Sequence, residues 1–103
     1  MQSNEPAKIS KTEFFILQMM INEGSDLYGL EMIRKSGDKL KRGTIYTTLN
    51  RMEDKGLISS KKEDELQEGL TAKRRMYRIN GTGVLAAENF RTEMLGFFEG
   101  VLI

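Results

Sequence analysis

The chain contains no cysteine, no histidine and no tryptophan, and it has a single proline. Without cysteine there are no disulfides, and without cysteine and histidine the usual ligands of a zinc site are missing. Histidine is also the usual general base at neutral pH, and the sequence shows no nucleophile–base pair and no phosphate-binding loop. We therefore expect no catalytic residue, no cofactor and no metal, and we do not expect an enzyme.

Long apolar runs are also missing. The longest, residues 14–17 and 19–21, are far too short to span a bilayer, and the first eight residues lack the apolar core of a signal peptide. We therefore expect no membrane contact and a cytoplasmic location. The 103 residues fit one domain, and 39% hydrophobic with 30% charged residues is typical of a folded chain.

The net charge of +1 hides an uneven distribution of basic residues. Residues 34–62 hold nine bases and three acids, and residues 73–78 hold four bases and no acid. Such clustering is the electrostatic footprint of a surface that binds nucleic acid. The alternative is that solvated faces have clustered their bases by chance.

Hydrophobic periodicity predicts three helices, a β-hairpin and a last helix. Ser10 and Glu13 form a capping box that starts the first helix. We expect Ser25 or Asp26 to cap the second helix, and Gly29 to allow close packing against the first helix.

The third helix is predicted at about residues 42–55, with strands at 57–62 and 74–79 and a last helix from about 84. It faces the core with Ile45, Leu49 and Met52.

The opposite side of the third helix carries uncharged polar residues and an arginine instead of the Glu–Lys pairs of a solvated helix. Such side chains can bond to base edges in DNA. Basic residues stand at the helix start, where the dipole favours anions, and this placement becomes favourable beside a phosphate backbone. A poorly capped surface helix is the alternative. We predict base contacts from Thr44, Thr47, Asn50 and Arg51, and backbone contacts from Arg42 and Tyr46.

Basic residues also cluster at the ends of the two hairpin strands, next to an acidic loop at residues 63–68. We expect the strand ends to contact phosphates while the acidic loop points away. The predicted phosphate contacts are Lys61, Lys62, Arg74 and Arg75.

The last helix carries two neighbouring apolar stripes. One stripe can pack on the first helix, but two exceed what a chain of this size covers, and an exposed apolar patch of that size marks an interface. Alternatively the whole helix belongs to the core of one chain. An aromatic ligand slot between two such helices, and hence a small-molecule effector, has no tryptophan or convergent polar group in its favour. We predict a homodimer whose interface includes Phe90, Met94, Phe97, Phe98 and Val101.

Three segments resemble the PadR-like winged-helix transcriptional regulators. "LYGLEMIRK" at 27–35 is similar to the second-helix motif of that family, and "GTIYTTLNRMEDKGLI" at 43–58 to its recognition helix and following turn. "RRMYRINGTG" at 74–83 is similar to its second wing strand and the turn into the last helix. The resemblance covers about residues 10–90. It implies a mainly α (α+β) fold, a winged helix-turn-helix of three helices and a β-hairpin wing, followed by a C-terminal dimerisation helix.

The resemblance also implies a function. Members of this family are sequence-specific DNA-binding transcriptional regulators, usually homodimeric repressors that read an inverted repeat in double-stranded DNA. DNA contact is carried over to Tyr46 and its polar neighbours, and to Arg74 and Arg75. The chain has Lys41-Arg42 where the family often has Ser-Pro, and Thr47 where it often has Pro, so the operator sequence is not carried over.

We accordingly divide the chain into a flexible arm (1–8), a winged-helix DNA-binding domain (9–80) and a C-terminal dimerisation helix (81–103). The alternative function is a winged-helix module that binds another regulatory protein. The near-neutral net charge and the acidic loop motivate that alternative.

Overall fold

The computed structural model describes residues 7–102, with side chains to Gly100. Three antiparallel strands form one sheet in the order β1–β3–β2. The chain also forms four helices, so the predicted mainly α winged-helix fold is confirmed. Most of the predicted N-terminal arm, residues 1–6, lies outside the described residues, as does the side chain of Val101. The elements are α1 (Lys11–Glu23), β1 (Leu27–Tyr28), α2 (Gly29–Lys35), α3 (Arg42–Asp54), β2 (Ile58–Lys62), β3 (Arg75–Ile79) and α4 (Gly81–Leu102).

Helix α1 begins and ends as predicted. The Ser10 hydroxyl accepts a hydrogen bond from the Glu13 N–H at 3.1 Å, and the Glu13 carboxylate accepts one from the Ser10 N–H at 2.8 Å. Gly24 follows the last helical residue in the left-handed conformation, with φ of 65°. A glycine adopts this conformation without steric cost, which stops the helix at this point.

Glu13 also joins α1 to the end of α3. Its side chain is 1% exposed and lies 2.9 Å from the Lys55 ammonium, which also donates to the Lys8 carbonyl. Burial raises the pKa of Glu13, but Lys55 and Ser10 together lower it by more, so its pKa lies below the ordinary value. The buried carboxylate is therefore charged at neutral pH and fixes α3 against α1.

The predicted start of the second helix is wrong. Helix α2 begins at Gly29, after the N-cap residue Tyr28, and neither Ser25 nor Asp26 caps it. Leu27 and Tyr28 instead form strand β1, which pairs with β3. The sheet therefore has three strands, where the sequence suggested a hairpin of two.

Helix α4 begins at Gly81, earlier than the predicted start near residue 84. A Cβ atom on Gly83 would collide with the Leu57 carbonyl oxygen and lie 2.9 Å from Ile79 Cγ1. Gly83 therefore allows the first turn of α4 to pack directly against the sheet.

The core lies between α1, α2, α3, the sheet and the first half of α4. The predicted inward face of α3 is confirmed, since Ile45, Leu49 and Met52 are at most 2% exposed. Within residues 7–102, none of the helices combines the length and apolar character needed to cross a membrane.

Candidate nucleic-acid interface

Helix α3 directs its polar side to solvent. Its buried residues occupy one side, and most of the polar residues between them are exposed. Tyr46 is 41% exposed although its ring lies against α2. The structure thus brings together on one exposed helix surface all six contacts that the sequence predicts for α3, namely Arg42, Thr44, Tyr46, Thr47, Asn50 and Arg51.

The start of α3 suits an anionic partner. Lys41 is the N-cap residue, and among the described residues its side chain makes no capping hydrogen bond. The first turn contains no acidic residue, so the partial positive charge of the helix start is not neutralised locally. Apart from its chain neighbours and the backbone of its own helix, no described heavy atom lies within 4 Å of the place where Gly43 would carry a Cβ. Another molecule can therefore approach this end of the helix closely.

The two wing strands place the four predicted basic contacts on two faces. Lys62 pairs with Arg75 across β2 and β3, on the same face as the buried Tyr77. Because side chains alternate along a strand, Lys61 and Arg74 lie on the opposite face. The sequence-based prediction grouped all four residues as phosphate contacts. Neighbouring residues in a strand point to opposite faces of the sheet, so the four cannot share one face.

A hydrogen-bond relay joins Arg75 to α3. Arg75 Nη1 donates to the Ser60 hydroxyl at 3.0 Å, and that hydroxyl donates to the Glu53 carboxylate at 2.5 Å. Since Glu53 belongs to α3, the Arg75 guanidinium is held on the side of the wing that adjoins this helix. The contact between Ser60 and Glu53 could not be predicted from the sequence, because it depends on how the sheet packs against α3.

Arg74 has partners within its own chain. Its Nη2 and Nε atoms donate to the Glu63 carboxylate at 2.9 and 3.2 Å, and its guanidinium lies 3.9 Å from the centre of the Tyr28 ring. The Tyr28 hydroxyl donates to the same carboxylate at 2.7 Å. The hydrogen bonds from Arg74 and then Tyr28 lower the pKa of Glu63 to about 2. We call Tyr28, Glu63 and Arg74 the wing clamp, because they join the loop end of the β2–β3 hairpin to β1.

The predicted dimer residues of α4 divide into covered and exposed ones. The Phe90 ring stacks on Phe14 of α1 with 4.6 Å between the ring centres, and Met94 is half-buried. Phe97 and Phe98 are 66% and 50% exposed. The chain therefore covers the beginning of the apolar surface on α4 and leaves the later part open.

Comparisons with known proteins agree with this fold. The model of the transcriptional regulator PadR-like family matches residues 16–89. The chain is similar to a PadR family transcription regulator from Clostridium difficile, at 29% identity over 90% of this chain and 95% of that one, with a TM-score of 0.69.

Two further structures resemble the fold. A PadR-like transcription factor from Bacteroides fragilis has 22% identity over 87% of this chain and 85% of that one, with a TM-score of 0.75. A transcriptional regulator from Clostridium thermocellum has 24% identity over 91% and 94%, with a TM-score of 0.62. A search of curated protein sequences gave no match.

Proposed function

Because the chain belongs to the transcriptional regulator PadR-like family, we propose that it acts as a homodimeric repressor that reads an inverted repeat in double-stranded DNA. The family consists of transcription regulators and not of enzymes. Family membership indicates a transcription regulator, and the proposal adds repression, the symmetric operator and the dimer.

The observation that carries the proposal is the exposed side of α3. Its side chains are exposed and mostly uncharged, they can donate or accept hydrogen bonds, and they extend from a helix start without an acidic residue. A helix of this kind enters the major groove with its first turns, where side chains reach base edges. We assign base contacts to Thr44, Thr47, Asn50 and Arg51, and backbone contacts to Arg42 and Tyr46.

For the wing, the two strand faces narrow the proposed phosphate contacts to Lys62 and Arg75. Both lie on the face that adjoins α3, and the relay through Ser60 orients Arg75 toward the same side. Lys61 lies on the other face, 3.9 Å from Asp64, and Arg74 is engaged in the wing clamp. We therefore assign Arg74 to holding the wing in place.

The open surface of α4 supports a second copy as its partner. Every residue from Leu95 to Gly100 is exposed, including both phenylalanines of this segment. The Cα radius of gyration is 15.4 Å, whereas a compact chain of about 100 residues has about 13 Å. The end of α4 thus extends beyond the core of its own chain, as a helix shared between two subunits would. A two-fold dimer places two α3 helices about 34 Å apart, one turn of DNA.

Selection of bound duplexes from a random DNA pool tests the proposal. We expect an enriched inverted repeat with half-sites separated by about one helical turn. An enriched single half-site would refute the symmetric dimer. No enrichment, together with binding that does not weaken as salt rises, would refute DNA reading and favour a protein partner.

The wing assignment is tested by one pair of neighbouring substitutions. Lys62→Ala should reduce the slope of log affinity against log salt by about one unit and weaken all sequences alike. Lys61→Ala removes the same charge from the opposite face and should leave the slope nearly unchanged. Equal effects of the two substitutions would refute the assignment by strand face.

A further inference from the structure

Gly29 is a glycine that the backbone does not require. It is the first residue of α2 and is not among the glycines with positive φ. Any L-amino acid can adopt such a backbone conformation, and most favour a helix more than glycine does. The reason for glycine at this position must therefore lie in the space around it.

The Tyr46 ring of α3 occupies that space. A Cβ atom on Gly29 would lie 2.7 Å from Tyr46 Cε1 and 2.8 Å from its hydroxyl oxygen, closer than such atoms approach. The close atoms all belong to the far end of the Tyr46 side chain. An added methyl group would thus turn the Tyr46 ring away and leave both helices in place. Gly29 thus packs against α3, and the expected packing against the first helix is wrong.

We propose that Gly29 is a positioning residue for DNA binding: its missing side chain leaves the space in which the Tyr46 ring rests, and so fixes the direction of the Tyr46 hydroxyl. The inference rests on the proposed function, in which Tyr46 contacts the DNA backbone. The ring is held against α2 on one side and remains 41% exposed. A hydroxyl fixed in this way meets a phosphate without first losing its rotational freedom.

A double-mutant cycle tests the proposal. The probe is a fluorescein-labelled duplex that carries the sequence selected by the parent protein, and affinity is read by anisotropy. One hydrogen bond to a charged group corresponds to an affinity change of about tenfold. We expect Gly29→Ala and Tyr46→Phe each to weaken binding by about that factor, and the double variant to bind no more weakly than Tyr46→Phe alone.

Gly81→Ala is the matched control. Gly81 is also the first residue of a helix and lacks a positive φ. Apart from its chain neighbours and the backbone of its own helix, no described heavy atom lies within 4 Å of its Cβ position. In the free protein with ¹³C-labelled tyrosine, Gly29→Ala should shift the Tyr46 ring signal, which Tyr46→Phe identifies by its loss. Gly81→Ala should shift neither that signal nor the affinity.

Four results would overturn the proposal. The first is a Gly29→Ala variant that binds the labelled duplex as tightly as the parent does. If the parent binds its selected site, this result does not contradict the proposed function. The second is a double variant about a hundredfold weaker than the parent, because Gly29 would then act independently of Tyr46. The third is unfolding of Gly29→Ala alone, since the ring would not have yielded to the methyl group. A parent protein that selects no DNA would overturn the proposed function as well.

Discussion

Replacing Lys55 by methionine tests the ion pair that fixes α3 against α1. The Lys55 ammonium lies 2.9 and 3.0 Å from the two Glu13 oxygens and 3.2 Å from the Lys8 carbonyl. Methionine retains much of the length and apolar character of the side chain but removes its charge. The substitution leaves the Glu13 carboxylate, which is 1% exposed, with one hydrogen bond from the Ser10 N–H.

The magnitude follows from the burial of the two partners. Removing one partner from a fully buried pair costs about 3–5 kcal/mol, whereas an exposed pair contributes about 0–1 kcal/mol. The Lys55 side chain is 32% exposed, so solvent already screens part of the interaction. We therefore expect a loss of about 2–3 kcal/mol in the free energy of unfolding, or about 10–20 °C in Tm.

Lys35→Met provides the control in the same assay. Lys35 pairs with Glu23 at 3.1 Å, and the two side chains are 39% and 38% exposed. Lysine exposure is thus similar in both pairs, and the main difference is the burial of the carboxylate. Thermal unfolding at one protein concentration should show a loss of less than about 1 kcal/mol for Lys35→Met. Equal losses in the two variants would refute the argument from burial.

The effect of Lys55→Met should also depend on pH. The pKa of Glu13 is lowered from 4.5 in the parent, so the stability from its charged form is present above pH 4.5 and is lost as the pH falls below that value. Without Lys55, burial remains and moves the pKa upward. The stabilities of parent and variant should therefore converge in acid. A difference that is as large at about pH 3.5 as at neutral pH would contradict this mechanism.

The wing clamp, the packing of α4 and the exposed side of α3 each give a further prediction. Because the pKa of Glu63 is lowered to about 2, the parent should lose stability as the pH falls from 4.5 toward 2, and Glu63→Gln should flatten that part of an acid titration. Gly83→Ala should lower the Tm, since the new methyl group meets the Leu57 carbonyl and such overpacking costs about 1–3 kcal/mol, whereas Gly81→Ala should not. Arg51→Ala should relax one position in each selected half-site while Tm holds, and equal weakening at all positions would make Arg51 a phosphate contact.

Local chemistry made most of the helices predictable. The capping box at Ser10 and Glu13 depends only on residues three apart, so it could be read directly. The inward face of α3 followed from spacing in the same way. The start of α2 could not be read, because a two-residue strand forms only when β3, some fifty residues later, pairs with it. The glycine at position 83 is typical of a turn, but in the structure it lies in α4 and its missing side chain allows close contact with the sheet.

The candidate site shows the same limit. The polar side of α3 was predictable because a single helix carries it. Lys61 and Lys62 are neighbours in a predicted strand, so the alternation of side chains already places them on opposite faces of the sheet. The partners of Arg74 and Arg75, by contrast, lie in other elements, and their assignment required the sheet register.

Helix α3 is fixed by three contacts, each to a different element. Lys55 joins its end to Glu13 of α1, the Glu53 carboxylate joins it to the wing through Ser60, and Tyr46 rests beside Gly29 of α2. Helix α1 in turn packs on α4, which in the proposed dimer carries the contact between subunits. The distance between the two α3 helices of the dimer would then depend on the contacts that connect α4 to α1, and α1 to α3 through the buried ion pair. In the proposed dimer these contacts would give the buried charge a function, because the paired Lys55 would help to hold α3 in position and with it the spacing of the half-sites.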